Sequence, residues 1–198
     1  MICSPLTPYP LEELREIVSD PYRPPTPGKE ERHHGVDFSH YRRGDLLSIE
    51  GVPVQAVLAG RVAAAQADSF PYGNFIILET GGDFFPDEWR EKLDLSLQES
   101  VYILYAHLQE PPQLQTGERV NACQFIGNVG KSGNTVEAHL HLETRLGPSG
   151  VTFPAMRYYQ ADATEAEKET YLRWRIGGEF VHFNPMDLLT LQETEDDG

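Results

Sequence analysis

Apolar and polar positions alternate in short runs from residue 33 onward, a pattern that predicts strands rather than long helices. PVQAVLAGRVAAAQA (53–67) alternates around Gly60 and predicts two strands meeting at a turn. YGNFIILET (72–80) and VYILYAHL (101–108) read as buried strands, and Arg119 to Ala122 and Phe125 to Val129 as short ones. EAHLHLETR (137–145) alternates strictly. Gly81-Gly82, Gly117, Gly130 and Gly133-Asn134 mark turns between them. The expected fold class is therefore mainly β, with short helices confined to a few segments.

Those segments are of three kinds. Residues 1–32 read as a leader or linker: LEELREIV (11–18) is a short helix candidate, and the Pro-rich stretch after it an extended connector. Residues 81–100 and 147–183 are too long for hairpin loops and read as insertions covering one end or face of the sheet. Helices are expected at Pro86 to Leu93 and Ala163 to Trp174, with a last helical turn in FNPMDLL (183–189). The main domain is expected over 33–190 and an acidic tail over 191–198.

Composition narrows the function classes. The chain has 198 residues and a formal net charge of −15. So acidic a chain lacks a basic face to neutralise phosphates, so no nucleic-acid partner is expected. No run approaches the ~20 apolar residues of a membrane span, so no membrane insertion is expected. Cys3 and Cys123 form no C-x-x-C pair; one disulfide and two free thiols are both open. Residues 1–10 show no signal-peptide pattern. The expected oligomeric state is a monomer.

Five of the seven histidines fall in three patterns: HHGVD (33–37), YAH (105–107) and HLH (139–141). In a strand, His139 and His141 point to one side, about 6.6 Å apart at Cα. A straight strand would separate His33 and Asp37 by about 13 Å. Both can serve one ion only if the segment curls, and Gly35 permits that. A catalytic zinc site takes three protein ligands and a water. His33, Asp37 and one histidine of HLH supply such a set, leaving the other and His107 for proton transfer or for hydrogen bonding a developing oxyanion. Glu143 shares their parity, with two roles open: a hydrogen bond fixing a ligand imidazole, or a solvated pair with Arg145. His34 and His40 read as surface histidines, and His182 is too distant to assign. Trp89, Trp174 and Tyr158-Tyr159 are expected to bury the insertions against the sheet.

The order H-x-G-x-D, Y-x-H-L, G-x-S-G-N and H-L-H-L-E resembles the lysostaphin/LytM-type zinc metallopeptidases that cut bacterial peptidoglycan. The matching residues are His33, Gly35 and Asp37; Tyr105, His107 and Leu108; Gly130, Ser132, Gly133 and Asn134; and His139, Leu140, His141 and Glu143. The likeness covers roughly 33–146, with Asn184-Pro185. It implies zinc held by His33, Asp37 and His141, and catalysis by His107 and His139. It further implies an antiparallel β-sandwich-like fold with an open groove, and endopeptidase action on stem peptides or cross-bridges of peptidoglycan.

The insertions and the leader fall outside the pattern, which leaves two alternatives. One is a non-catalytic wall-binding or hydrolase-activating module; the other is a zinc peptidase acting on a non-wall peptide. An inhibitory plug is one role open to the segment just upstream of His33. The expected location is the bacterial cell envelope or exterior, with the targeting segment absent from this chain and the cytosol as the alternative.

Overall fold

The computed structural model describes residues 1–40 and 48–191. Ten strands follow in order: β1 (Val18–Asp20), β2 (Val36–Phe38), β3 (Pro53–Gln55), β4 (Gly60–Ser69), β5 (Gly73–Gly81), β6 (Glu99–Ala106), β7 (Arg119–Val120), β8 (Phe125–Asn128), β9 (Leu140–Pro148) and β10 (Val181–Phe183). Three α-helices join them: α1 (Asp87–Leu93), α2 (Glu165–Arg175) and α3 (Pro185–Leu189). The mainly β expectation holds.

Eight strands form one antiparallel sheet in the order β1-β2-β9-β6-β5-β4-β7, with β10 also pairing β9. A two-stranded antiparallel ribbon, β3-β8, makes a second sheet. Residues 53–67 therefore hold two strands, but not two partners. β3 joins the ribbon, while β4 pairs β5 and β7 in the main sheet.

The main sheet is buried on both faces, which is why its central strands read as near-continuous apolar runs. On β6, Val101, Ile103 and Tyr105 face one core, and Tyr102 and Leu104 the other. The first core lies under the β3-β8 ribbon and also takes Phe85, Trp89 and Leu95 from the 81–100 segment. The second is covered by the 147–183 segment through Phe153, Met156, Tyr171, Trp174 and Phe180. The two insertions thus cover opposite faces. The Thr164 hydroxyl accepts from the Glu167 amide, and the Glu167 carboxylate from the Thr164 amide. This reciprocal cap fixes the start of α2, whose far end delivers Trp174 and Arg175 to β9.

Residues 1–32, expected as a leader, are built into the first core. Leu6 and Leu14 are fully buried and Ile17 nearly so. The LEELREI stretch is a 3₁₀ helix, Leu11–Ile17, and β1 pairs β2. A disulfide, Cys3–Cys123, ties the segment to the turn between β7 and β8. Leu14→Ala is accordingly expected to cost about 2–5 kcal/mol, the range for emptying a buried leucine site. A urea midpoint shift at unchanged slope would show it, and a change under about 0.5 kcal/mol would make the segment an appendage. At the other end Leu191 is buried; the rest of the expected acidic tail, 192–198, lies outside the described residues. No helix among the described residues is long and apolar enough to cross a membrane.

Candidate active site

Strand register brings the motifs together. Asp37 on β2 sits directly opposite His141 on β9, and Ala106 at the end of β6 opposes His141 from the other side. On β9, Leu140, Leu142 and Leu146 enter the first core. The alternation that sends them there turns His141, Glu143 and Arg145 to the opposite face. His33 reaches the same point because the chain turns just before it, with Arg32 at φ +68°. Gly35 serves a different purpose from the one expected. It is not left-handed; a Cβ there would lie 2.3 Å from the Leu142 carbonyl oxygen. Close approach of β2 to β9, rather than backbone freedom, requires glycine.

Three donor atoms converge. His33 Nε2 lies 3.1 Å from both Asp37 Oδ1 and His141 Nδ1, and His141 Nδ1 lies 2.7 Å from Asp37 Oδ1. A tetrahedral zinc with bonds of about 2.0–2.2 Å needs ligand atoms roughly 3.3–3.5 Å apart. Two nitrogens and one carboxylate oxygen, spaced slightly inside that edge, fit a zinc ion. Among the described residues this is the one cluster of metal-ligating side chains of its kind.

The tautomers fit as well. A carbonyl or carboxylate only accepts, so the ring nitrogen facing it carries the proton. His33 Nδ1 donates to the Pro21 carbonyl at 3.0 Å and His141 Nε2 to Glu143 Oε1 at 3.1 Å. With those outer protons held, the inward nitrogen of each ring is the one that would give up its proton and offer a lone pair to a metal; without one it faces Asp37 Oδ1. Such outer hydrogen bonds orient metal-binding imidazoles. Burial works against ionising Asp37, but hydrogen bonds from His141 and His33 outweigh it and hold its carboxyl far below the usual range. Burial also opposes charge on His141, yet Asp37 and Glu143 raise it to about 9.

His107 and His139 stand beside the cluster, their rings 4.6 Å apart. His107 Nδ1 donates to the Ser132 carbonyl at 2.8 Å and His139 Nδ1 to the Glu137 carbonyl at 2.9 Å. Both present Nε2 as a lone pair. His107 sits just past β6 at φ +62°, its backbone amide on Tyr72 and its carbonyl on Gly130. A left-handed non-glycine residue held on both sides is strained backbone used to aim a side chain. Burial and the neighbouring His139 and His141 hold it down to about 3. The G-x-S-G-N motif is the clamp. Ser132 accepts from the Asn74 amide and donates to the Leu108 carbonyl, while Gly133 (φ +78°) passes Gly73 too closely for any Cβ.

All five expected site residues line one cavity of about 270 Å³, with Pro71, Tyr72, Asn134 and Arg175. None of residues 1–32 is among its lining, so nothing here supports the plug. Instead Pro21 supports His33 from behind. Beneath the cavity lies a polar network that the solvated-pair reading of Glu143 and Arg145 did not anticipate. Both residues are fully buried. Glu143 accepts from His141, Tyr72 (2.9 Å), Arg175 (2.8 Å), Arg145 (2.9 Å) and Trp174 (3.1 Å). Burial would raise its carboxyl, but Arg145 and Arg175 hold it well below the ordinary value. The expected surface histidines are buried too. His34 meets Arg145 at 3.1 Å, and His40 contacts the Tyr9 hydroxyl. His182, unassigned from the sequence, meets Tyr22 at 2.6 Å.

Known structures resemble the chain. The lysostaphin catalytic domain from Staphylococcus simulans, an antimicrobial peptidase, is 25% identical over 69% of this chain and 85% of that one, with a TM-score of 0.47. A mutant catalytic domain of the prophage-encoded M23 protein EnpA from Enterococcus faecalis is 21% identical over the same shares, with a TM-score of 0.46. A zinc-containing peptidase from Vibrio cholerae is 19% identical over 65% of this chain, with a TM-score of 0.43. The match spans about a third of that Vibrio protein. Residues 90–152, the stretch that carries His107, His139 and His141, match the model of Peptidase family M23, so the family likeness seen in the motifs is to the M23 peptidases.

Proposed function

We propose that this protein is a zinc-dependent endopeptidase hydrolysing peptide bonds in peptidoglycan stem peptides or cross-bridges. The observation that carries this reading is the set of four imidazoles converging on one cavity with Asp37. Each has its outer N–H held by an acceptor; the inner nitrogens of His33 and His141 meet at Asp37 Oδ1, and those of His107 and His139 face the cavity beside them. His33, Asp37 and His141 are the residues that would hold zinc. When bound there, zinc supplies Lewis-acid polarisation of the scissile carbonyl and acidification of a water.

The other two histidines act on the attacking water. His139 Nε2 lies 3.6 Å from Asp37 Oδ2, so a proton taken there sits beside a carboxylate. That makes His139 the general base, which accepts a proton from the attacking water and returns it to the leaving amine. His107 also accepts through Nε2, and its burial opposes protonation. It orients the water by accepting a hydrogen bond; donating to an oxyanion would require a proton it does not carry. The Cys3–Cys123 disulfide supports a location in the cell envelope or outside the cell, where thiols are oxidised.

The test is digestion of purified peptidoglycan by zinc-loaded protein, with His139→Ala as control and products read by mass spectrometry. New peptide termini from the wild type alone are expected. Intact peptidoglycan, with zinc bound and the fold unchanged, would overturn the wall substrate.

A further inference from the structure

Arg175 is a cation in the wall of the catalytic cavity that the reading above does not use. It is the last residue of α2, it lines the cavity beside Tyr72 and His141, and its side chain is 14% exposed. Its Nη1 donates to Glu143 Oε1 at 2.8 Å and to the Tyr72 hydroxyl at 3.4 Å. Its Nε is buried with no hydrogen-bond partner. Glu30 Oε1 is 4.0 Å from that Nε, and the same carboxylate is held by the Tyr159 and Tyr171 hydroxyls.

Arg175 is the second guanidinium on Glu143. Arg145 already meets Glu143 Oε2 through Nε and Nη2, at 3.3 and 2.9 Å, and stacks on Trp174. Arg175 thus shares one carboxylate with Arg145 and has Glu30 only at 4.0 Å, an incomplete pairing for a cation with so little exposure. A guanidinium fork with donors to spare at a cavity wall matches a carboxylate in shape and charge.

The geometry points to Arg175 as the subsite for a substrate carboxylate on a residue adjoining the scissile bond, and this rests on the peptidase reading. Reach sets the position. Glu143 Oε1 bridges Arg175 to His141 at 2.8 and 3.1 Å, so the guanidinium lies within a few ångströms of the ligand imidazole. One residue of extended chain spans about 3.8 Å between Cα atoms. The carboxylate therefore belongs to the residue next to the cut bond, either as the chain end or as a side branch. The enzyme cuts beside an acidic residue or near a free C-terminus in preference to the middle of a neutral peptide.

Three N-acetylated probes separate these cases: triglycine with a free carboxylate, triglycine carboxamide, and glycyl-glycyl-glutamate carboxamide. Cleavage is followed by mass spectrometry. Binding is followed by calorimetry in the zinc-loaded full chain carrying His139→Ala, in the presence and absence of Arg175→Met. At least one carboxylate probe is expected to bind about tenfold or more tightly than the neutral one, the size of a charge-assisted hydrogen bond. Which probe gains tells chain end from side branch. Arg175→Met is expected to erase the difference, and Arg175→Lys to keep part of it.

Equal binding of all three probes would overturn the subsite. So would a preference that survives Arg175→Met, because the carboxylate would then be held elsewhere. If Arg175→Met does not fold, the probe comparison with Arg175→Lys decides. Failure to cleave any probe or peptidoglycan counts against the peptidase reading alone, since the binding preference is measured without turnover.

Discussion

Glu143→Ala is expected to destabilise the protein by about 3–5 kcal/mol, the range for removing one partner of a buried ion pair. The reason is what the carboxylate leaves behind. Arg145 is fully buried, and both Arg145 and Arg175 donate to Glu143, together with Trp174 and Tyr72. Alanine leaves Arg145 with no counter-charge and Arg175 with Glu30 alone, 4.0 Å from its Nε. For a domain of this size the loss corresponds to a fall in Tm of about 6–20 °C. A second effect falls on the metal site. His141 loses the acceptor that holds its Nε2 proton, so zinc affinity is expected to drop about 10–100-fold. Glu143→Gln separates the two. Its amide oxygen can still accept from His141, so zinc binding is retained, whereas the guanidinium charges go unbalanced and stability still falls. Thermal melting and zinc titration of both variants check this. A Glu143→Ala protein that melts within a degree of wild type would show that the network does not hold α2 to the sheet.

That five residues of three motifs would share one cavity was legible in the sequence because each motif is local. Parity in HLHLETR puts His139, His141 and Glu143 on one face, and HHGVD can bring His33 to Asp37 only by curling, as it does just before β2. The same parity extends to Arg145, and only the assumption of a solvated face hid its burial. Arg175 had no signal. It arrives at the cavity from a helix 34 positions beyond His141, and nothing in ATEAEKETYLRWR distinguishes it from the exposed Arg173. Burial of the first 32 residues was equally hidden. Leu6, Leu14 and Ile17 are scattered among prolines and acids, and a 3₁₀ helix does not follow the 3.6-residue period that marks an amphipathic helix. The 53–67 run shows the limit of periodicity itself. Alternation identifies a strand and its inward face, but partners are chosen by the rest of the chain, and here β3 and β4 went to different sheets.

His139→Ala and His141→Ala are expected to separate turnover from metal binding, although only Leu140 stands between the two residues. His141 would contribute Nδ1 to the proposed ligand set; that atom lies 2.7 Å from Asp37 and 3.1 Å from His33. With alanine there, two ligands remain, one fewer than a catalytic zinc site uses. Zinc content and activity should therefore be lost together. His139 points its Nε2 to within 3.6 Å of Asp37 Oδ2, and its Nδ1 is anchored on the Glu137 carbonyl, outside the ligand set. Its loss should leave one zinc per chain and lower kcat by about 10²–10⁴-fold, the contribution of a positioned general base. Elemental analysis of the purified variants, set beside their kcat on the same peptide, checks both halves. A His139→Ala enzyme with full turnover would pass the base to His107, whose Nε2 faces the same cavity and carries a lone pair. A His139→Ala protein without zinc would move His139 into the ligand set in place of His141.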